Sequence, residues 1–104
     1  MTQSAVDARA VGALGQEARL EIYRLLVRAG AEGLNVSEIA AHLKMPASTL
    51  AHHLSTLVAA GLVIQERQGR EVVNRADYEA MNRTVAFLTD KCCSGVTLST
   101  EDAA

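Results

Sequence analysis

Hydrophobic and polar positions along this chain change rhythm several times, and each rhythm predicts an element. Ala18, Ile22, Leu25, Leu26 and Ala29 fall on one face at helical spacing with charges elsewhere, predicting an amphipathic helix that stops at Gly30. A shorter helix is predicted upstream over Val6–Leu14, broken near Gly15, and the Gly33 region reads as a loop. Ser37–Leu43 reads as a short helix with Ile39, Ala40 and Leu43 inward. Lys44-Met45-Pro46 is the turn, because Pro46 suits the first position of a new helix and pushes Met45 out of helical backbone. From there to Ala60 an apolar stripe of Leu50, Leu54, Leu57 and Val58 marks another helix, ended by Gly61. Leu62–Arg67 and Glu71–Arg75 are β-leaning runs joined through Gln68-Gly69-Arg70, a hairpin with glycine at its turn. Asp77 is a good N-cap for a last helix to about Cys93, with Gly95 as its stop. This order predicts a mainly α winged helix-turn-helix with a β-hairpin wing.

With 104 residues the chain suits a single domain, 1–104, with frayed ends at about 1–5 and 96–104. Aromatics are 3% of the sequence, too few for a base-stacking platform on single-stranded nucleic acid. The net charge of −2 speaks mildly against nucleic-acid binding, but its distribution does not. Between His42 and Arg75, four bases (Lys44, Arg67, Arg70, Arg75) face two acids (Glu66, Glu71), and all three histidines lie there. No secretory signal or membrane-length apolar run is visible, and Cys92 and Cys93 are adjacent and so staple no fold. A cytoplasmic protein that does not bind membranes is expected.

The helix from Pro46 carries the DNA-reading chemistry. Opposite its leucine stripe lie Ser48, His52, Ser55 and Thr56, with Thr49 on the edge, whose small polar groups allow close approach to the major groove. His53 falls nearer the apolar stripe and suits packing or a phosphate contact. Alone, this is also the pattern of an ordinary solvated helix face. Arg67, Arg70 and Arg75 on the following hairpin tip the reading toward double-stranded DNA, as phosphate or minor-groove contacts.

Leu14-Gly15-Gln16-Glu17-Ala18-Arg19-Leu20-Glu21-Ile22 resembles the opening of ArsR/SmtB-type repressors. Ser48-Thr49-Leu50-Ala51-His52-His53-Leu54-Ser55-Thr56-Leu57, followed by Ala60-Gly61-Leu62-Val63, resembles that family's recognition helix and the start of its wing. The likeness covers about residues 10–93. It implies a homodimer joined through its terminal helices, bound to an inverted-repeat operator without any cofactor, and released by a thiophilic metal or metalloid.

The family's sensing sites are modular, so each is tested on the residues. Its arsenic site on the first helix of the helix-turn-helix is a cysteine cluster; here Leu34-Asn35-Val36-Ser37-Glu38-Ile39 has none. Its zinc site uses Asp, His and Glu on the last helix; here Asp77, Glu79 and Asp90 stand without histidine. What remains is Cys92-Cys93. On the predicted last helix Tyr78, Met81, Val85 and Leu88 form a dimer-facing stripe that Cys92 continues. Soft thiolates favour thiophilic centres, and two of them fall short of the four ligands zinc normally takes.

A trivalent arsenical with one carbon substituent has two exchangeable positions, which a cysteine pair matches. Some arsenic-responsive relatives resemble this chain in a C-terminal Cys-Cys with a third cysteine soon after, where this chain has Ser99. A methylated or aromatic arsenical is therefore expected over arsenite, with antimonite possible through a borrowed ligand. Three alternatives stay open: another thiophilic metal, thiol oxidation, or no cysteine-based effector, with Cys92 a small interface hydrophobe. Adjacent cysteines make a strained ring, so an oxidative bridge is expected to run between chains. A thiol enzyme would want an anion-binding loop or a cysteine at a helix N-terminus, and neither is present. A protein-binding winged helix is the remaining competitor, disfavoured by the arginine-bearing wing.

Overall fold

The computed structural model describes residues 2–97, arranged as five helices and three strands. Helices α1 (Gln3–Leu14) and α2 (Glu17–Ala29) lead through a 3-10 turn into a two-residue strand β1 (Leu34–Asn35). Helices α3 (Val36–Leu43) and α4 (Ala47–Ala59) form the helix-turn-helix, β2 (Val63–Gln68) and β3 (Glu71–Ala76) the wing, and α5 (Tyr78–Thr89) closes the fold. The winged helix-turn-helix expected from the sequence is present. Among the described residues no helix is long and apolar enough to cross a membrane.

Caps fix where most helices begin. Thr2 Oγ1 accepts from Ala5 N at 3.1 Å, so α1 starts three residues before the predicted Val6, inside a segment expected to be frayed. Asn35 and Glu38 form a reciprocal capping box at α3, with bonds of 2.8 and 2.9 Å. Asp77 Oδ1 accepts from Ala80 N at 3.2 Å and starts α5 as predicted. Pro46 occupies the capping position of α4 rather than its first turn, and Ala47 is the first helical residue. At the other end of α4, Leu62 N donates to Leu57 O and Gly61 N to Val58 O, each at 3.0 Å, with Gly61 at φ +79°. This paired closure turns the chain sharply into the wing.

The sheet has one strand more than the predicted hairpin: its order is β1-β3-β2, all antiparallel. Within the wing Gln68 pairs with Glu71, leaving Gly69 and Arg70 as a two-residue turn. Gly69 has φ +64°, the backbone a tight hairpin needs at its first central position.

One cluster holds the fold together. Ile22 and Leu26 from α2, Ile39 from α3, Leu50, Leu54 and Leu57 from α4, and Leu62 are essentially inaccessible to solvent. Each such side chain contributes about 1.5–3 kcal/mol by leaving water, so the core fixes the pitch of α4 and hence which residues it turns outward.

The last helix departs from expectation. It ends at Thr89, not near Cys93, and Cys92 is therefore not on its stripe. Val85 and Leu88 are 54% and 62% exposed within the chain, so no core contact supports another turn. The Thr89 hydroxyl bonds back to Val85 O at 2.9 Å, and Asp90 leaves helical backbone with ψ 133°. Residues 98–104, including Ser99 and most of the predicted C-terminal frayed end, lie outside the described residues.

Candidate nucleic-acid interface and thiol pair

Helix α4 is amphipathic about its leucine stripe, and burial of Leu50, Leu54 and Leu57 leaves Ser48, Thr49, His52 and Ser55 exposed together. Among the described residues no side chain caps its N-terminus, so its first-turn N–H groups are open to a phosphate alongside Ser48 and Thr49. Thr56 is turned partly inward and its hydroxyl donates to His52 O at 3.3 Å.

His53 differs from the other candidates on this helix. It is half-buried, and its Nδ1 is buried with no hydrogen-bond partner among the described residues. Burial, then the nearby Arg19 charge, then His52 hold its pKa below the usual 6.5. The His52 and His53 rings are tilted with centroids 5.7 Å apart. Arg19 is itself anchored, donating from Nε to Ala13 O at 2.7 Å. The structure thus leaves His53 partly covered, within reach of the Arg19 charge, and His52 exposed to solvent.

On the wing, Arg67 and Arg70 are exposed, with Arg70 at the tip. Arg75 is half-buried and its Nη1 pairs with Glu66 Oε2 at 2.6 Å, within the hairpin itself. The buried Asn74 links all three strands: Gln65 Nε2 donates to its Oδ1 at 2.8 Å, and its Nδ2 donates to Leu34 O at 3.2 Å. Asn35 Nδ2 reaches Glu71 Oε1 at 3.2 Å, so the residue capping α3 also touches the wing.

Two residues do more here than the sequence reading gave them: Lys44, counted there only as charge, and Asn74, which was not singled out. Lys44 stands exposed in the turn between α3 and α4 with φ +55°, adding a positive charge beside the reading helix. Its place after Leu43 and two residues before Pro46 was the available signal. Asn74 was hidden because nothing in a β-leaning run distinguishes a buried asparagine from an exposed one.

Cys92 and Cys93 lie in the turn after α5, both exposed and both free. Cys92 N donates to Thr89 O at 3.0 Å and Ser94 N to Lys91 O at 3.1 Å. Lys91 and Cys93 take left-handed backbone, φ +57° and +62°, and the two Sγ atoms come to 3.2 Å. Among the described residues no three His, Cys, Asp or Glu side chains converge on a possible metal position.

Comparison with known proteins agrees with this architecture. Residues 14–66 match the family described as a helix-turn-helix domain. The HTH-type transcriptional regulator YbzH of Bacillus subtilis (strain 168) is 35% identical over 88 residues, covering 73% of this chain and 88% of that protein. An ArsR-like transcriptional regulator from Rhodococcus sp. RHA1 superposes with a TM-score of 0.73 at 34% identity, covering 82% of this chain and 77% of that one. The homodimeric winged helix-turn-helix DNA-binding domain of a possible ArsR-family regulator from Mycobacterium bovis shares the fold at 24% identity, with a TM-score of 0.68 and coverage of 91% and 89%. Helix order, wing and kinship converge: the chain belongs to the ArsR family of winged helix-turn-helix transcriptional regulators.

Proposed function

We propose that the chain is a homodimeric repressor that leaves an inverted-repeat operator when a trivalent arsenical bridges Cys92 and Cys93. The observation that carries the DNA half is the exposed set Ser48, Thr49, His52 and Ser55 beside a wing bearing Arg67 and Arg70. The 3.2 Å approach of the two thiols carries the effector half. His53 and Arg75 take lesser parts, one as a packing residue behind the reading face and the other held by Glu66.

Dimerisation through α1 and α5 is supported by the apolar groups these helices leave uncovered, chiefly Val6, Val11, Val85, Phe87 and Leu88. The Mycobacterium bovis relative is homodimeric. Two reading helices placed about one DNA turn apart, roughly 34–36 Å, would engage both half-sites. The thiol pair follows directly on α5, so a ligand that reshapes this turn acts at the edge of that surface.

A monosubstituted arsenical carrying two hydroxyls exchanges both for thiolate sulfur, forming two As–S bonds and releasing two waters. Arsenite would keep one unexchanged position on the described residues. DNA binding needs no cofactor in this reading, and coupling between the sites is of the usual size, about 1–3 kcal/mol.

Fluorescence anisotropy on an inverted-repeat operator tests this, adding methylarsenite, arsenite or zinc in turn. Release by methylarsenite at far lower concentration than arsenite, lost in Cys92→Ser and Cys93→Ser, is the expected result. Release that persists in both variants would remove the pair from the mechanism.

A further inference from the structure

Neighbouring cysteines are poor disulfide partners on general grounds. Their Cα atoms lie about 3.8 Å apart across a trans peptide, shorter than the usual ~4.4–6.8 Å for bridged residues. From sequence, this pointed to a bridge between chains. The geometry points elsewhere. Left-handed backbone at Lys91 and Cys93 swings both side chains to the same side, and the sulfurs stand 3.2 Å apart against the ~2.05 Å of a bond.

We infer that Cys92 and Cys93 of one chain close into an intramolecular disulfide on oxidation by a peroxide, making this turn a reversible two-electron redox site. It uses the sulfurs assigned above to the arsenical but does not require arsenical binding. In the first step one thiolate attacks a peroxide oxygen; the S–O bond forms, the O–O bond breaks, and with hydrogen peroxide the departing hydroxide becomes water. In the second, the neighbouring thiolate attacks the sulfenic sulfur; the S–S bond forms, the S–O bond breaks, and hydroxide again leaves as water. Two thiols and one hydrogen peroxide thus give one disulfide and two waters.

Three further observations favour closure within the chain. Both thiols are exposed, so oxidant reaches them without local unfolding. The segment is held by turn bonds, Cys92 N to Thr89 O and Ser94 Oγ to Lys91 O at 2.8 Å, and buries nothing in the core. Ring strain can therefore be absorbed there without disturbing the fold. The chain holds no third cysteine, and a tethered neighbour has an effective concentration of at least the order of millimolar, above that of a second chain in dilute solution. A strained, exposed disulfide is also readily reduced, which makes the change reversible. In the closed form neither sulfur is available to an arsenical, so oxidation and arsenical binding exclude each other.

The test uses the reduced full chain treated with hydrogen peroxide. Closure predicts loss of both titratable thiols, a mass lower by two hydrogens, migration as a single chain without reductant, and full reversal by dithiothreitol. Cys92→Ser and Cys93→Ser should instead gain oxygen or form covalent dimers. A covalent dimer, oxygen addition or unchanged thiols in the unsubstituted chain would overturn the proposal. Phenylarsine oxide added to the reduced chain reads the effector separately by its mass adduct. A disulfide that forms in a chain taking up no phenylarsine oxide would leave this proposal standing and sink the arsenical reading.

Discussion

The side chain of Asn74 donates to the main-chain carbonyl of Leu34 across 3.2 Å, joining the wing to the strand that leads into the helix-turn-helix. Asn74 is fully buried, and its Oδ1 is engaged by Gln65. Replacing it takes a donor from the part-buried Leu34 carbonyl and opens a small void. Asn74→Ala should lower stability to urea unfolding by about 1–3 kcal/mol. Gln65→Ala, at the exposed end of the same chain of bonds, should cost clearly less. Equal losses in the two variants would show that the Leu34 bond carries no special weight.

Gly33 is the second fastening of that strand. Its backbone, φ +66° and ψ −169°, lies in a region open essentially to glycine alone. A Cβ there would collide with the Asn74 carbonyl oxygen and stand 2.8 Å from Val73 Cγ1. Gly61 also has positive φ, +79°, but a Cβ there would meet open space. Gly61→Ala should therefore cost about 1–2 kcal/mol from backbone alone, and Gly33→Ala should cost more because main chain must also move. Thermal melts of the two variants side by side decide it.

These two fastenings also show where the sequence stops being informative. Helices α2 and α4 were legible because Ile22, Leu25, Leu26, Leu50, Leu54 and Leu57 bury on one face each, and periodicity reports just that. The starts at Asp77 and the turn at Gly69 were legible because their chemistry is local. Strand β1 was not, since two residues carry no rhythm and their partners lie in β3, some forty residues on. The early start of α1 was masked by Asp7, a carboxylate at a buried position whose Oδ1 accepts from Gln3 Nε2 at 3.0 Å. The end of α5 was overrun because the Val85–Leu88 stripe continues in the sequence after contact with the core has ceased. On α4 the exposed reading set and the place of His53 beside the apolar stripe were legible, but the nearby Arg19 charge, which comes from another helix, was not.

Two tyrosines separate a useful hydroxyl from a stranded one. Tyr78 Oη donates to Val27 O at 3.2 Å and ties α5 to α2. Tyr23 Oη is buried with no partner among the described residues, and burial, then Asp77, then Tyr78 raise its pKa above 10.0, keeping it neutral. Tyr78→Phe should cost about 0.5–1.5 kcal/mol. Tyr23→Phe should be neutral or stabilising, since it removes a desolvated hydroxyl and no bond. A measurable loss in Tyr23→Phe would reveal a partner for that hydroxyl.

His53 gives the fold a pH dependence of known sign. Its native pKa lies below the unfolded value of 6.5, so the folded chain binds this proton less readily than the unfolded chain. The stability concerned is fully present above 6.5 and is lost as pH falls through the lowered native value. Melting temperature should therefore fall on acidification from neutrality to about pH 5, and His53→Gln should flatten that fall. A profile unchanged by the substitution would assign the acid sensitivity to other groups.

The Arg75–Glu66 pair sets the sharpest test of the wing. Both side chains are partly exposed, 34% and 48%, so the pair adds little stability, about 0–1 kcal/mol. On the proposed DNA-binding reading, its larger effect is to hold an arginine away from DNA and to present a carboxylate near it. Arg70, exposed at the tip and without an ion pair among the described residues, should behave as a simple phosphate contact. Arg70→Ala should weaken operator binding uniformly across sequences and reduce the logarithmic salt slope by about one. Arg75→Ala should weaken it less. Glu66→Gln should strengthen binding and steepen the slope, because Arg75 is released toward the backbone as a negative charge disappears. Anisotropy titrations over a range of salt concentrations read all three, and weaker binding in Glu66→Gln would mean that the ion pair positions Arg75 for DNA rather than withholding it.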